Sequence, residues 1–129
     1  MNFDDQFKSG DFLPDMQATN RWQAIDELVG LLVSRSKIAP EHQEAIAAAV
    51  KLRERVGCTA VGFGVALPHA ETELVTEVVG VAGRSQSGIN FEAADQVLVK
   101  KVLLFLIPKG QFLKHQHVLA NLAKSIHKF

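Results

Sequence analysis

Gly62-Phe63-Gly64-Val65-Ala66-Leu67-Pro68-His69 is a glycine-spaced apolar run that stops at a proline and a histidine. Gly62 and Gly64 allow a bend or a close backbone approach, Val65 and Leu67 alternate as in a half-buried strand, and Pro68 fixes φ and ends the ladder. The pattern predicts a short strand that presents His69 at its end. An imidazole titrates near physiological pH, so at such a place it can serve as nucleophile, acid, base or ligand. The eight residues alone also fit an ordinary strand with a polar residue at its mouth, because glycine, proline and histidine are common loop punctuation.

Upstream, Thr19 or Asn20 opens a helix, with Gln23 placed for a capping box and Trp22, Ile25, Leu28, Val29 and Leu32 on one stripe. Pro40 stands at the first position of a second helix, Glu41 and Glu44 complement its dipole, and Ala45, Ile46, Ala49, Val50 and Leu52 are its expected buried face. Gly57 reads as the residue that stops it, which leaves Arg53, Glu54 and Arg55 in the last turn. Downstream, Val75, Val78, Val79 and Val81 argue for a strand into Gly83, Ser85 to Ala94 for a loop, and Val97 to Ile107 for a central strand covered on both faces. From about Lys114 to His127 a last helix carries Leu119, Leu122 and Ile126 on one stripe with His115, whereas His117 shares a face with Asn121 and Lys124. Met1 to Ala18 is too irregular to assign. Helices and strands alternate, which points to an α/β fold.

At 129 residues the chain is read as one domain, 1–129, and its 47% hydrophobic content fits a packed core. Fourteen Lys and Arg balance 14 Asp and Glu, so no net charge draws nucleic acid or a membrane surface. Cys58 is the single cysteine and has no partner for an internal disulfide. No leader is recognised ahead of the first structured segment, and no apolar stretch reaches the ~20 residues of a membrane span. A cytoplasmic location is expected. His69, His115 and His117 raise the question of a metal, but 115 and 117 on one helix point ~200° apart. There is also no cysteine pair and no His-Glu-x-x-His run. Neither metal nor cofactor is expected. Cys58 as a nucleophile beside His69 is the weaker idea, since a lone cysteine is usually a small buried hydrophobe.

Several motifs occur together: Arg53-Glu54, Cys58-Thr59, Gly62-x-Gly64-Val65-Ala66-Leu67-Pro68-His69, Gly88-Ile89-Asn90-Phe91, Asp95-x-Val97, the apolar Leu103 to Pro108, and His115-x-x-x-Leu119-Ala120-x-Leu122-Ala123. In this order and spacing they resemble the fructose/mannitol-type (type 2) enzyme IIA domain of the bacterial phosphoenolpyruvate-dependent sugar phosphotransferase system, including its nitrogen-regulatory branch. The resemblance runs from the first helix to near the C-terminus. It implies a mixed β-sheet flanked by helices on both faces, with His69 as the phosphorylated histidine, His115 as the second active-site histidine and Arg53 as the arginine near the site. The implied partners are the histidine-containing phosphocarrier protein as donor and a sugar-specific IIB component as acceptor. Contact with a membrane would be peripheral, through a permease at most. The alternative is a nitrogen-type regulatory module that binds a target protein under control of His69 phosphorylation, or a remnant without transfer. By the same resemblance the sugar is not bound by this domain.

A phosphocarrier needs a neutral imidazole for in-line attack and donors for the peripheral oxygens. Arg53 offers a charge-assisted bond and Thr59 a hydroxyl, and Gly64 is expected to need either φ > 0 or room beside the phosphate. A helix N-terminus near Lys114, if aimed at His69, would favour a phosphoryl group. Ala60 stands where members of the family commonly have glycine, and the chain stops at Phe129 where they usually continue. That shorter end raises the expectation of a homo-oligomer that covers bared apolar surface.

Overall fold

A computed structural model of the chain describes residues 11–112 and Lys114. In chain order the elements are β1 (Phe12–Leu13), α1 (Arg21–Ser34), a 3-10 turn (Pro40–His42), α2 (Gln43–Val56), β2 (Ala60–Gly62), β3 (Val65–Ala66), β4 (His69–Thr72), β5 (Val79–Ile89) and β6 (Val99–Pro108).

The start of α1 follows from its cap. The Asn20 side chain accepts the Gln23 N–H at 2.9 Å, and Gln23 Oε1 accepts both the N–H and the hydroxyl of Thr19 at 2.9 Å. The reciprocal arm of the box thus reaches one residue further back than the spacing predicts. Ile25, Leu28, Val29 and Leu32 are wholly buried, as the stripe requires. In α2 the buried stripe is Ile46, Val50 and Glu54, whereas Leu52 is 62% exposed and Ala45 is also exposed. Leu52 lies two residues from Val50, ~200° around the helix, and cannot share its face. Gly57 caps α2 in an extended conformation, φ −176°, rather than a left-handed one. The Arg53 guanidinium meets its carbonyl at 2.9 Å, and the chain runs straight on towards β2.

The sheet has six strands in the order β1-β5-β6-β3-β2, with β4 also on β6. β6 is central: it runs antiparallel to β5 on one side and parallel to β3 and β4 on the other. Its residues Val102 to Ile107 are all buried, which is why they read as one apolar run. Ser85 to Ile89, expected in a loop, instead continue β5 across a register shift against β6. One face of the sheet, with Ala66, Ala70, Val81, Val102, Leu104 and Leu106, packs on α1 and α2. The opposite face gathers Val65, Leu67, Leu103, Phe105 and Ile107, with Phe12 and Phe112 packed against them. β3 is therefore buried on both sides rather than half-buried. The helix expected over 114–127 lies outside the described residues apart from Lys114, and so do His115 and His117. The result is a mixed α/β fold. Among the described residues no helix is long and apolar enough to cross a membrane.

Candidate functional site

β3 and β4 follow one another along the same edge of β6, with Val65 and Ala66 beside Lys101 and Val102, and His69 to Thr72 beside Phe105 to Pro108. Pro68 interrupts the run because it has no N–H to give, yet its carbonyl accepts the Phe105 N–H at 3.1 Å. His69 therefore opens a strand rather than ending one. β2 shields the outer edge of β3, and the last link is the Leu67 N–H on the Thr59 carbonyl at 3.1 Å. Past that point β4 borders a groove of about 410 Å³. Its walls are Ala49, Leu52, Arg53 and Val56 from α2, His69, Ala70 and Glu71 from β4, and Phe112.

The turn before β3 has three successive left-handed residues: Gly62 at φ 94°, Phe63 at 57° and Gly64 at 78°. A Cβ on Gly64 would lie 3.3 Å from the Leu98 carbonyl oxygen, and the Gly64 carbonyl takes the N–H groups of Lys100 and Lys101 at 2.8 and 3.1 Å. Of the two reasons expected for a glycine here, the backbone conformation is the one present. Gly64 anchors the turn against the start of β6 and is not part of the groove wall. Gly64→Val should thus cost stability, about 1–3 kcal/mol from a strained left-handed β-branched residue, read as a lower urea midpoint. An unchanged midpoint would mean the turn relaxes without cost.

The His69 ring is held on both sides of its plane and at one nitrogen. It stacks on Phe105, centroids 5.0 Å apart at 6°, and on Phe112 at 5.6 Å and 21°. Nδ1 lies 2.8 Å from the Leu67 carbonyl oxygen. A carbonyl oxygen only accepts, so Nδ1 carries the hydrogen, and in the neutral ring Nε2 keeps its lone pair. Burial pushes the pKa of His69 below the ordinary 6.5; the Leu67 bond opposes this, the Arg53 charge adds to it, and Glu54 and Glu71 oppose it. The imidazole is therefore neutral at neutral pH.

Arg53 is brought to the groove beside His69, with one of its five donors on Gly57. Thr59 is not. It is 6% exposed, its N–H and hydroxyl both go to Glu54 at 2.9 and 2.5 Å, and it does not line the groove, so the expected hydroxyl to phosphate is spent elsewhere. Cys58 is exposed rather than buried, with its thiol 3.4 Å from the Phe91 carbonyl. Sequence reasoning missed Glu54, Phe105 and Phe112. The i, i+4, i+8 spacing of Ile46, Val50 and Glu54 was the available signal for the first. Among the described residues no group of three or more His, Cys, Asp or Glu side chains is placed to hold a metal ion.

Residues 6–128 match the family described as phosphoenolpyruvate-dependent sugar phosphotransferase system, EIIA 2. The chain belongs to this EIIA family. It is 31% identical over 112 residues to a nitrogen regulatory protein of Bradyrhizobium diazoefficiens, covering 87% of this chain and 71% of that one. It is 32% identical over 103 residues to the fructose-specific EIIA component of the phosphotransferase system of Haloferax volcanii, covering 80% and 66%. The chain thus spans about two thirds of the length of these relatives. Among solved structures, the nitrogen regulatory protein IIA-Ntr of Neisseria meningitidis superposes with a TM-score of 0.78 at 26% identity, covering 88% of this chain and 76% of that one. An EIIA chain has a phosphocarrier or regulatory role, and relatives of both kinds are present.

Proposed function

We propose that this EIIA domain is a phosphohistidine carrier in which His69 Nε2 takes a phosphoryl group from the histidine-containing phosphocarrier protein and passes it to a IIB component. The observation that carries the reading is the Nδ1–H bond to Leu67, which leaves Nε2 with a lone pair in a groove wall that also holds Arg53. Nε2 attacks phosphorus in line, the P–N bond to the donor imidazole breaks, and its electron pair stays on the donor nitrogen. Each ring keeps the hydrogen on its other nitrogen. The positive charge that develops on the His69 ring is met by the Leu67 carbonyl, and Arg53 is the donor for the equatorial oxygens. His115, outside the described residues, enters this reading as the second active-site histidine on the resemblance and on its helical stripe. Leu52 and Val56, 62% and 82% exposed on the α2 rim of the groove, suit a protein donor and acceptor rather than a free small molecule. A cytoplasmic location goes with such partners.

Incubation with phosphoenolpyruvate, enzyme I and the phosphocarrier protein, followed by intact mass, should show one added phosphoryl group, labile to acid and stable to base. An unmodified mass overturns the reading. The nitrogen regulatory relatives favour a second reading, in which phosphorylated His69 controls binding to a target protein. A fructose-type IIB component that receives no phosphoryl group from the labelled chain would select it.

Acid should affect this site late. Because burial keeps the folded imidazole unprotonated below 6.5, uptake should hold through mildly acidic pH and fall only at the depressed midpoint. The unfolded chain binds that proton at higher pH than the folded one, so stability declines as pH falls from about 6.5 to the folded midpoint and levels off below it. Arg53→Gln should raise the midpoint and slow uptake roughly tenfold to a hundredfold. NMR titration of the imidazole with parallel rate measurements checks both, and a midpoint at or above 6.5 in the parent chain would refute the argument.

A further inference from the structure

Behind the groove wall a chain of hydrogen bonds leads from a buried carboxylate to His69. The Glu54 side chain has no exposed surface, which a carboxylate tolerates only when its oxygens are satisfied. Its Oε2 accepts the Thr59 N–H and its Oε1 the Thr59 hydroxyl, while Arg21 Nη1 at 3.7 Å balances the charge. Both oxygens act on one residue, so the backbone and side chain of Thr59 are fixed together. The Thr59 carbonyl then accepts the Leu67 N–H at 3.1 Å, and the Leu67 carbonyl accepts the His69 Nδ1–H at 2.8 Å. Leu67 lies between β3 and β4: Ala66 before it pairs with Val102 and the Pro68 carbonyl after it takes the Phe105 N–H, so β6 holds its flanks, while its own N–H is turned away from β6 and held by Thr59.

We propose that Glu54, acting through Thr59 and Leu67, is a positioning residue for the His69 imidazole: it sets the carbonyl to which Nδ1 must donate and so keeps Nε2 as the nucleophilic nitrogen. The kinetic consequence rests on His69 as phosphoryl acceptor; the effect on the ring does not. A Glu54 that only staples α2 to β2 would change stability and leave the tautomer of His69 alone.

Nitrogen NMR of the labelled chain reads that tautomer directly, beside the rate of phosphoryl uptake from the phosphocarrier protein. Thr59→Val removes the hydroxyl at nearly constant volume, Thr59→Ser keeps it, and Glu54→Gln keeps the size but not the charge. Thr59→Val and Glu54→Gln are each expected to raise the Nε2-protonated population several-fold and to slow uptake about tenfold, the order of a small misplacement of a reacting group. Thr59→Ser should retain the parent tautomer and rate. The Glu54→Gln, Thr59→Val double variant should be no slower than the slower single one, because the two act on one chain of bonds. Folded Thr59→Val and Glu54→Gln proteins that keep the parent tautomer overturn the proposal, whatever their melting temperatures. A parent chain that takes up no phosphoryl group defeats the carrier reading instead, and the tautomer populations still decide the role of Glu54.

Discussion

His69→Ala is expected to abolish phosphoryl uptake while the domain stays folded. Of the other side chains in the groove wall, Ala49, Leu52, Val56, Ala70 and Phe112 carry no nucleophile, and Arg53 is a permanent cation. Glu71 is the remaining candidate, and its Oε2 already accepts the Gly110 N–H at 2.6 Å. An acyl phosphate on Glu71 would be labile to base, whereas a phosphohistidine is labile to acid, so the stability of any residual label tells the two apart. Loss of the two ring stacks should cost on the order of 1–2 kcal/mol, not enough to unfold a domain of ordinary stability. Circular dichroism with intact mass on the same sample checks both parts. Labelling of His69→Ala at the parent level would place the acceptor elsewhere.

β6 was legible because a strand buried on both faces needs little besides apolar side chains, and Val97 to Ile107 announced it within two residues at each end. α1 was legible because the Asn20 cap and the stripe from Ile25 to Leu32 agree. The far end of β5 was not. Ser85, Gln86, Ser87 and Gly88 have the composition of a loop, and they lie within the strand because Arg84 and Ile89 on either side of them pair with Lys101 and Val99 of β6 across a register shift. His69 stood out because Pro68 marks the interruption that makes room for it. Glu54 did not, because its burial depends on Thr59 and Arg21, whose approach is fixed by how α1, α2 and β2 pack rather than by any local pattern. Phe105 reads as one more apolar residue of a core strand. Only the parallel register of β4 on β6 puts it beside His69.

That register makes Phe105→Ala the substitution with the largest expected effect on stability. The ring is 1% exposed on the central strand, packed with Val65, Leu67, Leu103 and Ile107, and its removal should cost about 3–5 kcal/mol. This is a large share of the stability of an ordinary domain, so the alanine variant should be partly unfolded on warming. Phe105→Leu keeps most of the core volume, should cost less than about 1.5 kcal/mol, and isolates what the ring does for His69. Burial is the largest cause of the lowered pKa of His69, and Phe105 is its parallel wall at 5.0 Å. Without that wall water reaches the imidazole, the midpoint should climb back towards 6.5, and uptake at mildly acidic pH should fall further than uptake at neutral pH. The stability linked to this proton should also vary less with pH, since folded and unfolded midpoints draw together. Urea denaturation and NMR titration of Phe105→Leu test the two halves separately. A folded Phe105→Leu protein with the parent midpoint for His69 would reduce the ring to core volume and leave the Leu67 bond and Phe112 as the constraints on the imidazole.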